Sequence, residues 1–308
     1  MLARALRAFF IWLSNRRFLG RLAMATPLVR RMPYRFVAGT TLDQAVAAVR
    51  ALNEAGASAT LDVLGESVDD RASADRSAAA YVDAIERIAS EGLDANVSLK
   101  LTAMGLDLGD DVCLAVLTPI VEAGDRHGIF VRIDMEGSAY TERTLAIVDR
   151  LRARGHDVGP VIQSYLHRST EDVERLADER VRTRICKGAY AEPEEIAHQD
   201  RAAIGDAFVA QVARLLEADA YPGVATHDEE MINRVIACAE ESGIGRDRYE
   251  FQLLYGIRRE LQRRLLADGY RLRVYVPYGT EWWPYFMRRL AERPANVWFV
   301  LRSMLSRG

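Results

Sequence analysis

The 308-residue sequence has only three cysteines, Cys113, Cys186 and Cys238, which lie far apart in the chain. No CxxC pair occurs, so the cysteines indicate neither a disulfide framework nor a zinc site. The five histidines show no HExxH or similar ligand spacing, and a metal site has no support elsewhere. The net charge of −3 gives no indication of nucleic-acid binding. We therefore expect neither a metal nor a nucleic-acid partner.

Motifs of several common enzyme classes are also absent. No GxGxxG follows a predicted strand, no GxxxxGK[ST] occurs, and the nucleophile motif GxSxG is missing. These absences disfavour a dinucleotide-binding open sheet, a P-loop protein and a serine hydrolase. No apolar run is long enough to span a bilayer. The apolar content of 49% is enough for one large core or two domains.

The first forty residues form a basic segment, with eight arginines and no acidic residue before Asp43. Three interpretations are open. Ala23-Met24-Ala25 resembles the cleavage site of a signal peptide. A basic amphipathic helix would lie on an anionic membrane surface. We favour a helix packed on the main domain, which does not exclude membrane contact. The predicted organisation is a basic helical segment over residues 1–40 and one main domain over 41–308.

Strand and helix patterns alternate through the main domain. Its first helix is predicted from Leu42, with Thr41-Leu42-Asp43-Gln44 as a capping motif and Gly56 as its end. Helix-length spacers between apolar strands indicate parallel βα units, and eight such units predict a (βα)8 barrel. A doubly wound open sheet is the alternative. The predicted strands are Ala59–Leu64, Asn96–Leu101, Phe130–Met135, Val161–Leu166, Val181–Lys187, Gly223–Thr226, Tyr249–Leu254 and Leu272–Val276.

Polar residues occur at the carboxyl ends of seven of the eight predicted strands. These ends meet at one mouth of a barrel, which is where barrel enzymes carry their active sites. Because a buried, unpaired charge is costly, internal bracing alone does not explain so many of them. They include Lys100, Arg132, Asp134, Glu136, Gln163, Arg184, Lys187, Thr226, His227, Gln252, Arg273 and Tyr275.

A helix predicted after the last strand carries a pair of arginines. Thr280 is its expected N-cap and Pro284 lies in its first turn. Adjacent guanidinium groups suit a small carboxylate. The residues spaced along one face of this helix at i, i+3, i+4 and i+7 are Tyr285, Arg288, Arg289 and Glu292.

The polar rim and the arginine pair together suggest a chemistry. The cations Lys100, Arg184 and Lys187 suit a large anionic cofactor, with Gln163 and His227 as further hydrogen-bonding groups. With no metal motif and no nucleophile motif, a redox cofactor is the better interpretation. The residues alone therefore predict a barrel enzyme with an anionic redox cofactor and a small carboxylate substrate.

Six sequence blocks resemble, in order, the proline dehydrogenase family, and most of all its monofunctional bacterial members. The resemblance runs from roughly Arg35 to the C-terminus, and the KGAY block and the C-terminal helix are its most specific parts. The blocks are VRIDMEG, VIQSYL, RICKGAY, ATHD, FQLLYG and VYVPYGTEWWPYFMRRLAE.

The resemblance implies an FAD enzyme built on a distorted (βα)8 barrel with extra N-terminal helices. It implies oxidation of L-proline to 1-pyrroline-5-carboxylate by hydride transfer from proline C5 to FAD N5, with electrons passed to a membrane quinone. The implied location is cytoplasmic, at the inner face of the cell membrane. We expect a separate pyrroline-5-carboxylate dehydrogenase to take the product.

The resemblance also assigns roles to individual residues. Asp134 and Arg184 would flank the reactive site. In the substrate site, Arg288 and Arg289 would bind the carboxylate and Glu292 would hold the pair, alongside Lys100, Leu254, Tyr275 and Tyr285. The residues implied to contact FAD are Met135, Gln163, Arg184, Lys187, Gly188, Ala189, Thr226 and His227.

One residue departs from the family pattern, and other functions stay open. Ala191 follows the KGAY block, where the long proline-utilisation proteins carry a tryptophan, so no stacking contact is expected there. One alternative is another FAD-containing barrel that uses a nicotinamide cofactor. A barrel that binds a small carboxylate without turnover, or a purely structural barrel, would also carry polar rim residues.

Overall fold

The structure is a computed structural model that describes residues 35–65, 67–283, 285 and 287. Strands and helices alternate along this part of the chain. The strands are β1 (Ser58–Val63), β2 (Ala95–Leu99), β3 (Val131–Ile133), β4 (Val158–Gln163), β5 (Arg184–Cys186), β6 (Gly223–Ala225), β7 (Glu250–Leu254) and β8 (Leu272–Tyr278). The helices are α1 (Leu42–Glu54), α2 (Arg71–Ser90), α3 (Asp110–His127), α4 (Thr141–Arg152), α5 (Ser169–Asp178), α6 (Arg201–Glu217), α7 (Glu229–Glu241) and α8 (Arg259–Ala267).

The eight strands form a closed parallel barrel in sequence order. Closure is made by β1 and β8, which pair in parallel from Ser58 opposite Arg273 to Val63 opposite Tyr278. A doubly wound sheet would leave two open edges, whereas here every strand has two neighbours. The prediction of a (βα)8 barrel is therefore confirmed, and the open-sheet alternative is wrong.

Strand β4 begins three residues earlier than the sequence predicted. The added residues include Gly159 and Pro160, and proline is uncommon inside a strand because it has no N–H to donate to the ladder. In the structure both residues lie inside β4, and the carbonyl of Pro160 accepts a hydrogen bond of 3.0 Å from Arg132 Nη1. A side chain from the neighbouring strand thus binds the backbone of this segment at the Pro160 carbonyl. The residues predicted to end the strand lie outside β4: residues 164 and 165 form a turn, and Leu166 makes an isolated antiparallel bridge with Ala197.

The two faces of the sheet differ in chemistry. On β1, Ala59 and Leu61 belong to the hydrophobic core that packs against the helices. The alternate residues, Thr60 and Asp62, are buried on the opposite face, inside the barrel. Ordinary barrels of this class fill the interior with branched apolar side chains. Here the apolar alternates form the layer between sheet and helices, and the barrel interior is polar.

Helix α1 begins with the capping arrangement that the sequence predicted. Thr41 Oγ1 accepts from the Gln44 backbone N–H, and Gln44 Oε1 accepts in return from the backbone N–H groups of Thr40 and Thr41. This reciprocal capping satisfies N–H groups that have no partner within the helix. The cap therefore fixes the start of α1 at Leu42, and the helix packs on β1 and β8.

Ion pairs connect each helix to the next around the outside of the barrel. At every interface between successive helices, an arginine of the later helix contacts an acidic residue of the earlier one. We call this set the inter-helix ion-pair belt. Its pairs are Arg87–Asp43, Arg126–Glu86, Arg143–Asp110, Arg175–Asp149, Arg214–Glu174, Arg234–Asp206 and Arg264–Glu229, with N–O separations of 2.6–2.9 Å.

The segment before α1 is already part of the barrel's packing. Phe36 and Val37 are buried, and the Ala38 N–H donates to the Pro277 carbonyl of β8 at 2.9 Å. Most of the predicted N-terminal segment, residues 1–34, lies outside the described residues. Within the described part of the chain, the helices are too short or too polar to cross a membrane.

Candidate active site

Asp134 is the centre of a hydrogen-bonded cluster inside the barrel. Its Oδ1 accepts from Ser98 Oγ at 2.6 Å and from Arg184 Nη1 at 2.8 Å. Its Oδ2 accepts from Tyr275 Oη at 2.8 Å. These partners lie on β2, β5 and β8, and Asp134 follows β3, so the contacts cross the barrel interior. The structure thus brings together both predicted catalytic residues and one predicted substrate residue.

Tyr275 acts in this cluster as a hydrogen-bond donor. Burial raises its pKa well above the ordinary value, and the neighbouring charges of Asp134 and Asp62 raise it further. The phenol is therefore protonated throughout the physiological range. Arg184 also lies over the Tyr275 ring, with its guanidinium carbon 5.2 Å from the ring centroid. Ring, cation and carboxylate hold one another in place.

Asp62 is a second buried carboxylate near the cluster, and the sequence analysis missed it. Lys100 Nζ lies 3.5 Å from its Oδ1, and Tyr81 Oη lies 3.2 Å from the same atom. Burial raises the pKa of Asp62; the charge of Lys100 opposes the rise and Asp134 adds to it. Its Oδ2 has no hydrogen-bond partner among the described residues. An acid inside the apolar strand Ala59–Leu64 was the available signal.

The three cations that the sequence analysis assigned to an anionic cofactor each have a carboxylate partner within the protein. This pairing lowers the positive charge that they offer to a bound anion. It also restricts their side chains to defined positions, which is what a binding site needs. The pairs are Lys100–Asp62 at 3.5 Å, Arg184–Asp134 at 2.8 Å and Lys187–Asp228 at 2.7 Å.

The carboxyl ends of β4 and β5 are tied together by Gln163. Its Nε2 donates to the Glu136 carbonyl at 2.8 Å, and its Oε1 accepts from the Ala189 N–H at 3.4 Å. The Ser164 and Tyr165 N–H groups extend the ladder to the carbonyls of residues 186 and 187. The predicted cofactor residues Gln163 and Ala189 are therefore adjacent in the structure.

Gly188 has a structural reason to be glycine. Its φ of +118° lies in a region that other residues rarely adopt. A Cβ at this position would also lie only 2.2 Å from Cδ1 of Tyr165. The tight passage of the backbone past the Tyr165 ring therefore excludes a side chain, whether or not a cofactor also approaches.

The end of β6 carries Thr226 and His227. The Leu254 N–H donates to His227 Nε2 at 3.0 Å, so this ring nitrogen is unprotonated while the bond exists. Thr226 Oγ1 accepts from the Asp228 N–H at 3.1 Å, and the Asp228 side chain caps α7. The hydrogen bond from Lys187 lowers the pKa of Asp228, so the pair is ionic at neutral pH. His227 thus links the ends of β6 and β7.

Arg132 and Glu136 do not join the Asp134 cluster, although they alternate with it in sequence. Arg132 Nη1 donates to two backbone carbonyls, those of Pro160 and Arg182. Glu136 accepts from the Thr102 N–H at 3.1 Å and from its Oγ1 at 2.7 Å. These two side chains therefore brace the barrel: Arg132, within β3, holds the backbone at Pro160 and Arg182, and Glu136, after the end of β3, holds Thr102.

The remaining predicted site residues lie partly outside the described chain. Met135 is buried in the hydrophobic core, Leu254 is half-buried at the end of β7, and Tyr285 is buried in a helical segment. The first helical residue there is Trp282, so the expected N-cap at Thr280 is wrong by one residue. Arg288, Arg289 and Glu292 lie outside the described residues.

The fold and the cluster define a parallel barrel protein in which ionisable side chains from several strands are hydrogen-bonded to one another inside the barrel. A family model described as proline dehydrogenase matches residues 45–302. "Proline dehydrogenase 1" of Bacillus subtilis subsp. natto is 41% identical over 98% of this chain and 100% of its own. "Proline dehydrogenase" of Deinococcus radiodurans is 41% identical over 88% of this chain and 89% of its own. The chain belongs to the proline dehydrogenase family of oxidoreductases.

The fold is also similar to solved structures. The proline utilization A protein of Bdellovibrio bacteriovorus, crystallised after inactivation by N-propargylglycine, superposes with a TM-score of 0.80 at 25% identity. The superposition covers 86% of this chain and 33% of that one, so the chain corresponds to about a third of the larger protein.

Proposed function

We propose that this protein oxidises L-proline to 1-pyrroline-5-carboxylate with FAD as its cofactor. The observation that carries the proposal is the cluster of Asp134, Arg184 and Tyr275, whose side chains come from three separate strand segments and meet inside the barrel. Membership of the proline dehydrogenase family supports the substrate. A cation, its carboxylate partner and an aromatic ring held in one place suit the binding of a small ring compound beside a redox group.

The described residues fit a flavin. The carboxyl ends of the adjacent strands β4, β5 and β6 supply polar groups of several kinds: the Gln163 amide, the Lys187 ammonium, the Thr226 hydroxyl and the His227 imidazole. We propose that these residues, with Met135, Arg184, Gly188 and Ala189, hold FAD. When bound, FAD would accept the hydride that leaves proline C5.

The residues of this chain would place the substrate. We propose that Lys100, Arg288 and Arg289 bind the proline carboxylate, that Glu292 holds the arginine pair, and that Leu254, Tyr275 and Tyr285 pack on the ring. Asp62 restrains Lys100 from the barrel interior, and Asp134 restrains Arg184 and Tyr275. Their role would be to fix the orientation of the ring, which accelerates a reaction by proximity.

The amine of proline has to be neutral when hydride leaves C5, because its lone pair forms the new C=N bond. The rate is therefore expected to rise with pH toward the pKa of the bound amine. Titration of Tyr275 would not interfere with this rise in rate, since burial keeps the phenol protonated well above neutral pH. The pH profile of the rate would then reflect deprotonation of the substrate amine, because the protein's hydrogen-bond donor Tyr275 keeps its proton over this range.

We propose that the electrons pass to a membrane quinone and that the protein works at the cytoplasmic face of the cell membrane. The eight arginines of the first forty residues support this location, because basic segments are attracted to anionic lipid. We retain residues 1–40 as a basic helical segment and 41–308 as the catalytic domain. A separate pyrroline-5-carboxylate dehydrogenase is the proposed consumer of the product. Deleting residues 1–20 should weaken liposome binding and quinone reduction; unchanged values would remove this role.

The experiment that tests the proposal is the visible absorption spectrum of the purified protein, before and after anaerobic addition of L-proline. A flavin spectrum that bleaches with proline and not with NADH is expected. A flavin spectrum that does not respond to proline would contradict the substrate. A protein without flavin that takes up no added FAD would contradict the cofactor.

A further inference from the structure

A chain of side-chain hydrogen bonds connects Arg184 to the amino-terminal end of the barrel. Arg184 Nε donates to Gln252 Oε1 at 2.5 Å, and Gln252 Nε2 donates to Glu250 Oε1 at 2.6 Å. Arg273 Nε donates to the same Glu250 oxygen at 2.7 Å, and Arg273 Nη1 donates to the Ala59 carbonyl at 2.8 Å. The chain therefore ends on backbone, which is its fixed point.

The members of this chain face the barrel interior. On β7, Phe251 and Leu253 belong to the outer hydrophobic core, so Glu250 and Gln252 point inward. Both are buried, with 5% and 6% of their surface exposed. Burying a carboxylate this deeply is costly unless it is paired. Burial raises the pKa of Glu250, but the charge and hydrogen bonds of Arg273 and the hydrogen bond of Gln252 outweigh it, so the net shift is downward.

The amide of Gln252 has only one workable orientation. A flip would place its NH2 group against the Nε–H of Arg184 and its oxygen against the carboxylate of Glu250. Both contacts would then be repulsive. The negative charge of Glu250 therefore decides that an acceptor faces Arg184, and it polarises the amide toward a stronger acceptor.

The neighbouring strand leaves room for this amide at one position. Gly223 on β6 faces Gln252, and a Cβ added there would lie 2.4 Å from Gln252 Nε2. The strand conformation of Gly223 does not itself require glycine, since its φ is not in the positive range. The absence of a side chain is thus matched to the Gln252 amide, and an added methyl group would displace that amide, whose three atoms are the nearest to it.

Arg184 differs in its contacts from the other deeply buried arginine, Arg132. The described donor contacts of Arg132 go to backbone carbonyls. Arg184 is held between Gln252 at Nε and Asp134 at Nη1, and the described residues give it hydrogen bonds through these two nitrogens only. Three side-chain acceptors, on Gln252, Asp134 and Ser98, thus orient one guanidinium group at the site.

We propose that Gln252 and Glu250 are positioning residues, which hold Arg184 in the orientation that stabilises the reduced cofactor. The inference rests on the proposed function, because it places Arg184 beside FAD. A cation held against the reduced group favours its negative charge and raises its reduction potential. Glu250 and Gln252 act through Arg184 and do not contact the substrate.

The test uses the full-length flavoprotein and three variants. Gln252→Met keeps the length of the side chain and removes its hydrogen bonds. Gly223→Ala displaces the Gln252 amide without replacing any of the hydrogen-bonded residues, which are Arg184, Gln252, Glu250 and Arg273. Glu250→Gln removes the charge that orients the amide. Thr60→Val is the matched control, because it removes a buried interior hydrogen bond, that of Thr60 to Asn96, outside the chain.

We expect Gln252→Met and Gly223→Ala to lower kcat at least about tenfold, as for a misplaced hydrogen bond of a charged group. The KM for proline should change less than about threefold, since neither residue contacts the substrate. A tenfold loss of preference for the reduced flavin would make its midpoint potential about 30 mV more negative, by the constant for a two-electron couple. Glu250→Gln should shift both quantities in the same direction, and Thr60→Val should leave them unchanged.

Two further results would be decisive. If Gln252→Met and Gly223→Ala keep the potential and kcat of the parent protein, the positioning role is wrong. The same holds if they lose thermal stability as Thr60→Val does, with no change in potential. These outcomes are distinct from failure of the proposed function, in which the parent protein itself would not bleach with proline.

Discussion

The phenol oxygen of Tyr275 lies 2.8 Å from Oδ2 of Asp134, across the barrel interior between β8 and the end of β3. Because Asp134 also accepts from Ser98 and Arg184 at its other oxygen, both carboxylate oxygens are occupied by donors. An ionised carboxylate is stable in such a place only while its donors are present. This pair therefore ties the proposed substrate side of the site to Arg184.

Tyr275→Phe should lower kcat/KM for proline by about tenfold or more, since it removes one hydrogen bond to a charged group and keeps the ring. Steady-state kinetics with an artificial electron acceptor would measure the change. Tyr249→Phe is the control, because Tyr249 packs with Phe251 and Tyr270 on the outer side of the sheet. Equal effects of the two substitutions would assign Tyr275 a general packing role.

Asp62→Asn should change how stability depends on pH. The folded-state pKa of Asp62 is raised, chiefly by burial, so the native state binds this proton more tightly than the unfolded chain does. Its ionisation therefore costs stability as pH rises from the unfolded value, about 3.9, through the folded value. Relative to the parent protein, the Asn variant should be more stable at pH 7.5 than at pH 4.5. Urea denaturation at both pH values measures this; a difference of the opposite sign would refute it.

Gly188→Ala should destabilise the loop after β5. The position combines a φ of +118° with a Cβ approach of 2.2 Å to Tyr165, and strained backbone alone costs about 1–3 kcal/mol. Gly128→Ala is a matched control, since Gly128 has a φ of +65° and no neighbour within 4 Å of its added Cβ. Thermal unfolding and flavin content would be compared. A smaller loss of thermal stability for Gly188→Ala than for Gly128→Ala would show that the Tyr165 ring moves aside for the added Cβ.

The inter-helix ion-pair belt should make stability depend on salt and on acid. Hydrogen bonds from Arg126 and from Arg264 lower the pKa of Glu86 and of Glu229, respectively. Their contribution is present above the ordinary glutamate pKa, about 4.3, and is lost as pH falls through the lowered folded values. Exposed pairs are screened by salt. We expect Tm at pH 7 to fall when salt is raised from low to moderate concentration, and this salt effect to shrink at pH 4.

A salt effect of equal size at both pH values would exclude the belt as its source. The Asp62 effect has the opposite dependence on pH and lies in the barrel interior, where salt does not screen it. The two contributions are therefore separable by measuring the Asp62→Asn variant and the parent protein in parallel at low and high salt.

Arg288→Met and Arg289→Met should each raise the KM for proline strongly, by roughly 2 kcal/mol or about thirtyfold, as for the loss of a charged hydrogen bond to the carboxylate. Inhibition by a small carboxylate that lacks the amine should weaken in parallel. Arg263→Met is a surface control, because its side chain is exposed on α8. An unchanged KM in both variants would remove the carboxylate-binding role of the pair.

The order of the elements and the closed barrel could be predicted from the sequence, because both rest on local patterns. Capping at Thr41 marked the first helix. Eight apolar strands separated by helix-length spacers indicated that one parallel unit is repeated. Local patterns did not give the start of β4, which includes Pro160 although proline cannot donate to the ladder. Nor did they separate Asp134, which joins the cluster, from Arg132 and Glu136, which bond to other groups.

By itself the sequence determined that the strands would bring polar side chains together, since parallel strands all end at the same side; Arg273, predicted at the barrel mouth, lies instead near the amino end of β8. Only the tertiary structure decided their partners. The contacts of Asp62, the hydrogen bond from Arg184 to Gln252 and the pairing of each proposed anion-binding cation join residues distant in sequence. Those contacts depend on barrel register and on the direction of each side chain, and no local pattern of residues specifies either.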